Sequence, residues 1–414
     1  MMDKKKEFKD FLKKIRQHRK ENYWDVSFDP DIDLDHFENA ILTDFCNKKD
    51  VVNKGRVTFS NKNISIEAHE FSRENTAIDK SILIQKIDFD CCDFYGNNGG
   101  KKITIKDCKF HKCYFSFSVF NDINFMNCKF ESCSFSQAKF YRCIFDASCT
   151  FYNISISGGK TKFINTEINP IGLFKKIYKP FEDKPESYKG KDINKERYLL
   201  ARSIVKLSRN ILESNHSCSN DDLYYLSLKN LHLVKLEEKK LYNASKISDI
   251  RENIKRKKLD CGSRENKEKR YIFTNKIKAW FFTFKKPAYF FEDKVIKLFG
   301  FMNSWGGSLQ RLFFIGFSIL VFYCLIYMCM DNGSVNYMVS DSRISVVHAE
   351  KWYYFLSSLI KSFDVTFLAG YTKHISNSDG LLKQYVLLSN MLLGLFWYAV
   401  AIPSLINKIS VTRL

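Results

Sequence analysis

The amino-acid sequence predicts a β-helix solenoid, then a helical linker, then a two-helix transmembrane module with a re-entrant loop between its helices. Three observations predict this. Phenylalanine recurs at Phe110, Phe115, Phe120, Phe125, Phe130, Phe135, Phe140 and Phe145. After Pro170 the apolar residues change to helical spacing. Two uncharged apolar stretches, residues 312–330 and 384–407, lie near the end of the 414-residue chain.

A period of five is neither the 3.6 of a helix nor the 2.0 of a strand; it is a solenoid period. Two residues before those phenylalanines stand Cys108, Cys113, Ser118, Ile123, Cys128, Cys133, Ala138 and Cys143, all small except Ile123. The frame reaches upstream through Ile84, Phe89, Phe94 and Ile105, with an insertion at Gly96, Asn97, Asn98, Gly99 and Gly100. Downstream it slips by one to Phe151 and Ile156, then resumes at Phe163 and Ile168, with Cys149, Thr161 and Thr166 as small partners.

In these residues the chain resembles the pentapeptide-repeat family over 81–168. The resemblance implies a right-handed quadrilateral β-helix with about four five-residue steps per coil. Phe would fill the axis, and Cys or Ala the remaining interior. Most of the 13 cysteines are then packing residues, because buried Cys behaves as a small hydrophobe. The spacing of Cys108 and Cys113, and of Cys128 and Cys133, is C-x4-C with no histidine cluster, so no metal and no cofactor is expected. An odd cysteine count in a long chain argues against a disulfide scaffold. Residues 82–168 carry eleven basic and eight acidic groups, which disfavours an acidic, DNA-mimicking face.

The net charge of +20 comes from 66 Lys+Arg against 46 Asp+Glu. It is concentrated in residues 171–300, with 31 basic and 17 acidic side chains. A basic block just before a span fits cytoplasmic placement and a lipid-bilayer partner. No zinc-finger, RNA-binding or helix-turn-helix motif accompanies it, so nucleic acid is not expected.

Several motifs fail on their own chemistry. Gly159, Lys160 and Thr161 end like a phosphate-binding loop, but Ile154 stands where its first glycine belongs. Asp29, Asp31, Asp33 and Asp35 alternate like a calcium loop, but Leu34 and Ala40 occupy its glycine and glutamate positions. After the basic start, Glu7 and Asp10 interrupt any signal-like apolar core, and an amphipathic helix is expected there. The eight histidines show no zinc-enzyme spacing and no Ser/His/Asp set can be placed, so an enzyme is not expected.

Leu200, Ile204, Leu207 and Ile211 form one helix face. Past the polar residues 215–222, Tyr224, Leu228 and Leu231 begin a second helix, giving a helical hairpin expected at subunit contacts. Residues 251–270, with nine basic and four acidic groups, read as a flexible or membrane-facing linker. In residues 275–301 Trp280, Phe281, Phe282, Phe284, Tyr289, Phe290 and Phe291 alternate with Lys276, Lys278, Lys285 and Lys286. That mixture suits the headgroup layer of a bilayer, or else a helix packed on the soluble part. The expected divisions are a helical or mixed region and solenoid cap (1–80), the β-helix (81–168), the hairpin (169–245), the basic linker and aromatic segment (246–308) and the membrane domain (309–414).

Both apolar stretches are long enough to cross a hydrocarbon core as helices. The positive excess lies before the first and after the second, so both termini are expected in the cytoplasm, with the chain in a plasma or inner membrane. Between them, residues 352–368 are apolar apart from Lys361 and Asp364 and run into a segment holding Gly370, Tyr371 and Thr372. A short helix followed by such a strand is what a re-entrant loop requires.

Here the sequence resembles the two-transmembrane potassium-channel superfamily, and bacterial pentapeptide-repeat proteins that end in such a module. Gly300, Ser304, Trp305, Gly306, Gly307, Ser308 and Arg311 carry the resemblance before the first span, with residues 366–371 in the loop and Gly394 in the second span. It implies a homotetrameric pore whose filter carbonyls replace the hydration shell of an ion. The implied filter segment is Thr366, Leu368, Ala369, Gly370, Tyr371, Thr372 and Lys373. Thr372 stands where the family has its next glycine, and Lys373 where it has an acidic residue. Asn390, Gly394, Trp397, Ala401 and Ser404 share one stripe of the second span, expected to line the pore. Gly394 would be a hinge or a close-packing point, and Pro403 a kink near the cytoplasmic gate. The expected function is an ion channel with a cytoplasmic solenoid as sensor or assembly domain, open to a cytoplasmic protein partner. The alternatives are a membrane-anchored scaffold that does not conduct, and a closed pore that depolarises the cell on a stress or phage signal.

Overall fold

A large apolar residue every fifth position can stay inside only if the chain turns a corner after each short strand. The computed structural model describes residues 37–45, 55–66, 82–99, 102–156, 159–178, 192–259, 265–303, 308–330, 334–339, 342–347, 351–367, 374 and 380–412. In it the short strands stack into four parallel ladders, the longest with five strands. That ladder holds Phe59, Phe89, Phe110, Phe130 and Phe151 in register. A second aligns Phe120, Phe140 and Phe163. A third aligns Ile84, Ile105, Phe125 and Phe145, and the fourth pairs Ile64 with Phe94. The chain is thus a parallel β-solenoid whose axis is filled by one aromatic or aliphatic residue per face.

Ladder spacing dictates the packing. Strands about 4.8 Å apart set their side chains at the stacking distance of aromatic rings. Phe110 and Phe130 stack at 4.8 Å and 5°, and Phe125 and Phe145 at 4.6 Å and 6°. Neighbouring columns meet edge to face, as Phe125 meets Phe130 at 5.6 Å and 70°. Two residues after the phenylalanines, Lys112, Phe117, Asp122, Asn127, Ser132, Gln137 and Arg142 are left-handed, with φ between 50° and 64°. These are the corners. Asn and Asp adopt that conformation readily, whereas Lys, Phe and Arg do so against steric resistance.

The small residues do more than fill space. Each of several donates to the carbonyl of the interior residue one coil below. Cys113 Sγ donates to Phe89 O at 3.3 Å, Cys128 Sγ to Ile105 O at 3.3 Å, and Cys133 Sγ to Phe110 O at 3.2 Å. Thr161 and Thr166 repeat the contact to Phe135 O at 2.8 Å and Phe140 O at 3.0 Å. Burial pushes the Cys108 and Cys143 thiols up to about 12, so they remain protonated donors near neutral pH. Replacing Cys128 with Ala is expected to cost no more than about 1 kcal/mol in a denaturation series, because one weak hydrogen bond is lost and the volume change is small.

The solenoid begins earlier than residue 81. Glu38–Ile41, Val57–Ser60 and Lys62–Ser65 already join the ladders, and Leu42 and Phe45 are buried in the same core. At the glycine-flanked insertion, Asn98 acts as a side-chain strand. Its Nδ2 donates to Asn121 O at 2.6 Å and its Oδ1 accepts from Asn121 N at 2.7 Å.

The other end is closed by helix α1 (Ile193–Ser217), started by Asp192, whose carboxylate accepts from Asn194 N and Lys195 N. Leu200, Ile204, Leu207 and Ile211 of α1 enter the solenoid core. That apolar face therefore seals the last coil. Asn210 Oδ1 accepts from Phe163 N at 2.8 Å, Ser214 Oγ from Thr166 N at 2.7 Å, and Asn215 Oδ1 from Ile168 N at 3.1 Å. Three side chains stand in for the next strand. Helix α2 (Asp221–Leu259) packs along α1, with Asn230 Nδ2 donating to Ser208 Oγ at 3.0 Å. It runs through Leu259, so the first half of the expected linker is helical. Helix α3 follows at Glu265–Asn303.

Residues 294–414 form a second compact unit. It holds α4 (Leu309–Met330), an antiparallel hairpin of Ser334–Val339 and Ser342–Val347, α5 (Lys351–Thr366) and α6 (Leu381–Thr412). Two of its helices are long and apolar enough to cross a membrane, over Leu309–Met330 and Leu381–Ile406. The expected N-terminal helix, Asp29, Asp31, Asp33 and Asp35, residues 304–307 and Leu368, Ala369, Gly370, Tyr371, Thr372 and Lys373 lie outside the described residues.

Candidate functional site

The two apolar helices run antiparallel. Leu312 O accepts from Trp397 Nε1 at 2.9 Å near one end of α4, and Tyr323 OH meets Ser389 Oγ at 2.9 Å further along. Helix α5 lies beside α4 in the opposite sense. Tyr354 OH donates to Met328 O at the far end of α4, and Ser362 Oγ donates to Leu320 O at 2.8 Å. Leu320 is about 15 Å along the axis from the end of α4 at Met330. Helix α5 thus reaches about halfway along α4.

There α5 ends on a polar joint. Thr366 Oγ1 donates to Asn390 Oδ1 at 2.8 Å, and Asn390 Nδ2 donates to Tyr327 OH at 3.0 Å. Thr366, Asn390 and Tyr327 are all fully or almost fully buried, and a buried polar group in so apolar a unit needs such partners. A Cβ on Gly394 would sit 2.1 Å from Thr366 O. Glycine is therefore the residue that lets the end of α5 reach the backbone of α6. Gly316 does the same for α4, since its Cβ would lie 2.6 Å from the Trp397 ring.

Phe367 packs edge-on against Trp397 and Tyr398, each at 5.6 Å. His374 Nε2 lies 3.1 Å from Asp364 Oδ2, so ten residues on, the chain is back beside α5. Lys361 Nζ sits over the Tyr327 ring at 4.7 Å.

Of the sequence-predicted residues, the structure brings together Thr366, Asn390, Gly394 and Trp397. Within one chain they face α4 and α5, with Ala401 half-buried beside a small cluster of Met302, Leu312 and Val400. Asn390 and Gly394 of the stripe expected to line a pore meet Thr366 within the chain. Sequence reasoning missed Tyr327, Ser362 and Gly316; their only signal is that small and hydroxyl side chains interrupt otherwise bulky apolar helices. Among the described residues no group of His, Cys, Asp or Glu could hold a metal ion.

Solenoid and membrane-length helices define the class: a β-solenoid chain with a helical, membrane-competent end. The family model described as pentapeptide repeats matches residues 108–146 in eight copies, so the solenoid is a pentapeptide-repeat domain. No curated protein and no solved structure matches the chain.

Proposed function

We propose that this chain is a multi-pass membrane protein whose residues 309–414 assemble as a homotetramer around an ion-conducting pore, with both termini and the pentapeptide solenoid in the cytoplasm. The observation that carries the reading is the depth of α5: it descends to the level of Leu320 and ends against Gly394, near the middle of the second apolar helix. A helix that penetrates half a span and then turns back is the skeleton of a re-entrant loop, and non-helical backbone at that depth needs surrounding protein or a water-filled cavity. Leu368, Ala369, Gly370, Tyr371 and Thr372 follow directly, and their carbonyls would line the narrowest part. Asn390, Gly394, Trp397 and Ala401 would then act chiefly by holding that segment in place from behind. The solenoid, a stack with a rigid axis, would serve as sensor or assembly domain, and a stress or phage signal that opens the pore would depolarise the cell.

A second reading, a membrane-anchored scaffold, is favoured by one observation: the joint of Thr366, Asn390 and Tyr327 is hydrogen-bonded within a single chain. Ion flux separates the two. Four lysines at a pore mouth repel cations strongly where water is partly excluded. In planar bilayers under asymmetric KCl, the parent chain is expected to give discrete current steps. Lys373→Asp is expected to raise cation conductance or move the reversal potential towards the cation equilibrium. Thr372→Gly should act separately, by freeing the backbone for the left-handed angles a carbonyl ring requires. No current in any of the three chains would leave the tether.

A further inference from the structure

Helix α3 carries an aromatic face that no other described residue covers. Phe273, Ile277, Trp280, Phe284 and Phe291 follow one another at spacings of four, three, four and seven, a single stripe of a 3.6-residue helix. The stripe is about 27 Å long. Phe273 is 64% exposed, Trp280 61%, Phe284 61% and Phe291 70%. Phe281 widens it on one side, also exposed. A face of this size and composition in water is an interaction surface.

Two contacts tie α3 to α2 away from the stripe. Asn243 Nδ2 of α2 donates to Phe282 O at 2.8 Å, and Lys239 of α2 pairs with Glu292 at 2.5 Å. Lysines flank the stripe, Lys276 on one edge and, beyond Phe281, Lys285 on the other, with Lys278 further round the same side. Lys285 Nζ lies 5.1 Å and 5.3 Å from the Phe281 and Phe282 rings.

We propose that α3 lies in the headgroup layer of an anionic bilayer, with its rings among the upper acyl chains and its lysines on lipid phosphates. Charge selects this occupant. A second copy docking through the same stripe would bring lysine edges against lysine edges, whereas anionic headgroups neutralise both. The chain itself brings lipid near, because the first membrane-length helix begins at Leu309, shortly after α3 ends at Asn303. The proposal holds whether or not the module conducts.

The test uses the full chain reconstituted into vesicles whose acyl chains carry bromine, which quenches indole on contact. Subtracting the emission of Trp280→Phe from that of the parent isolates Trp280. Its signal is expected to be blue-shifted and quenched by roughly half or more in phosphatidylcholine–phosphatidylglycerol vesicles. Quenching should be weaker in phosphatidylcholine alone, and a variant with Lys276, Lys278 and Lys285 all changed to Gln should lose that lipid preference. A water-like, unquenched Trp280 overturns the proposal. So does a blue-shifted Trp280 that bromine does not reach, which would mean protein covers the stripe. Equal quenching in both lipids overturns the anionic choice.

Discussion

Phe125→Asp is expected to strip the solenoid of its protection against hydrogen exchange across residues 103–168, far beyond the site itself. The ring is 1% exposed, stacked on Phe145 at 4.6 Å and edge-on to Phe130 at 5.6 Å. Removing a buried phenylalanine costs about 3–5 kcal/mol through lost contacts and the cavity left behind. An unpaired carboxylate on the axis adds several kcal/mol more. The sum rivals the whole stability of a typical domain, about 5–15 kcal/mol. Because each coil rests only on its neighbours, an unstable central coil uncouples those on either side. Exchange mass spectrometry of the full chain reads this by peptide, where circular dichroism would be dominated by the long helices. Phe125→Leu keeps an apolar axis and should leave most protection in place. Native protection in Phe125→Asp would contradict the axial placement of the ring.

The second large effect belongs to Gly394. An alanine there would put its Cβ 2.1 Å from Thr366 O, against backbone that has no rotamer to escape through. Either α5 withdraws, breaking the Thr366–Asn390 hydrogen bond, or α6 bends. Overpacking of this kind costs typically 1–3 kcal/mol, and a backbone obstacle belongs at or beyond the upper end. Gly380→Ala is the matched control, since nothing lies within 4 Å of its would-be Cβ. Thermal unfolding in detergent should fall clearly for Gly394→Ala and stay within about 0.5 kcal/mol of the parent for Gly380→Ala. Equal melting of the two would remove the close approach of α5 to α6.

The solenoid was legible because its interior repeats with a fixed arithmetic that no helix or flat strand shares. Phe110 to Phe145 declare the coil, and the small residues two places earlier declare where space is short. The corners were not legible. Lys112, Phe117 and Arg142 are ordinary side chains in left-handed backbone, imposed by the coil against their own preference. The early coil of Phe59 and Ile64 escaped notice for another reason, since one isolated five-residue step makes no period. The seal at the other end hid in plain helical patterning: Leu200, Ile204, Leu207 and Ile211 show an apolar face but not what it meets. In residues 294–414, length and hydropathy gave the two long helices, and the run of residues 352–368 gave α5. The partners of Asn390 depended on which face of α6 turned inward, and apolar residues on every side of that helix left its orientation undetermined.

The seal by α1 makes the coil stack a terminated polymer. A parallel ladder ends in a row of unmet amides and carbonyls, which is a growth point for any strand that arrives. Asn210, Ser214 and Asn215 occupy that growth point with side chains carried on a helix, and a helix cannot pass the template on. Were α1 to lift away, the exposed coil would present the row from Phe163 to Ile168 to another chain's first coil, and stacks would lengthen end to end. The same three side chains that finish the fold therefore also cover the edge on which a further strand would grow.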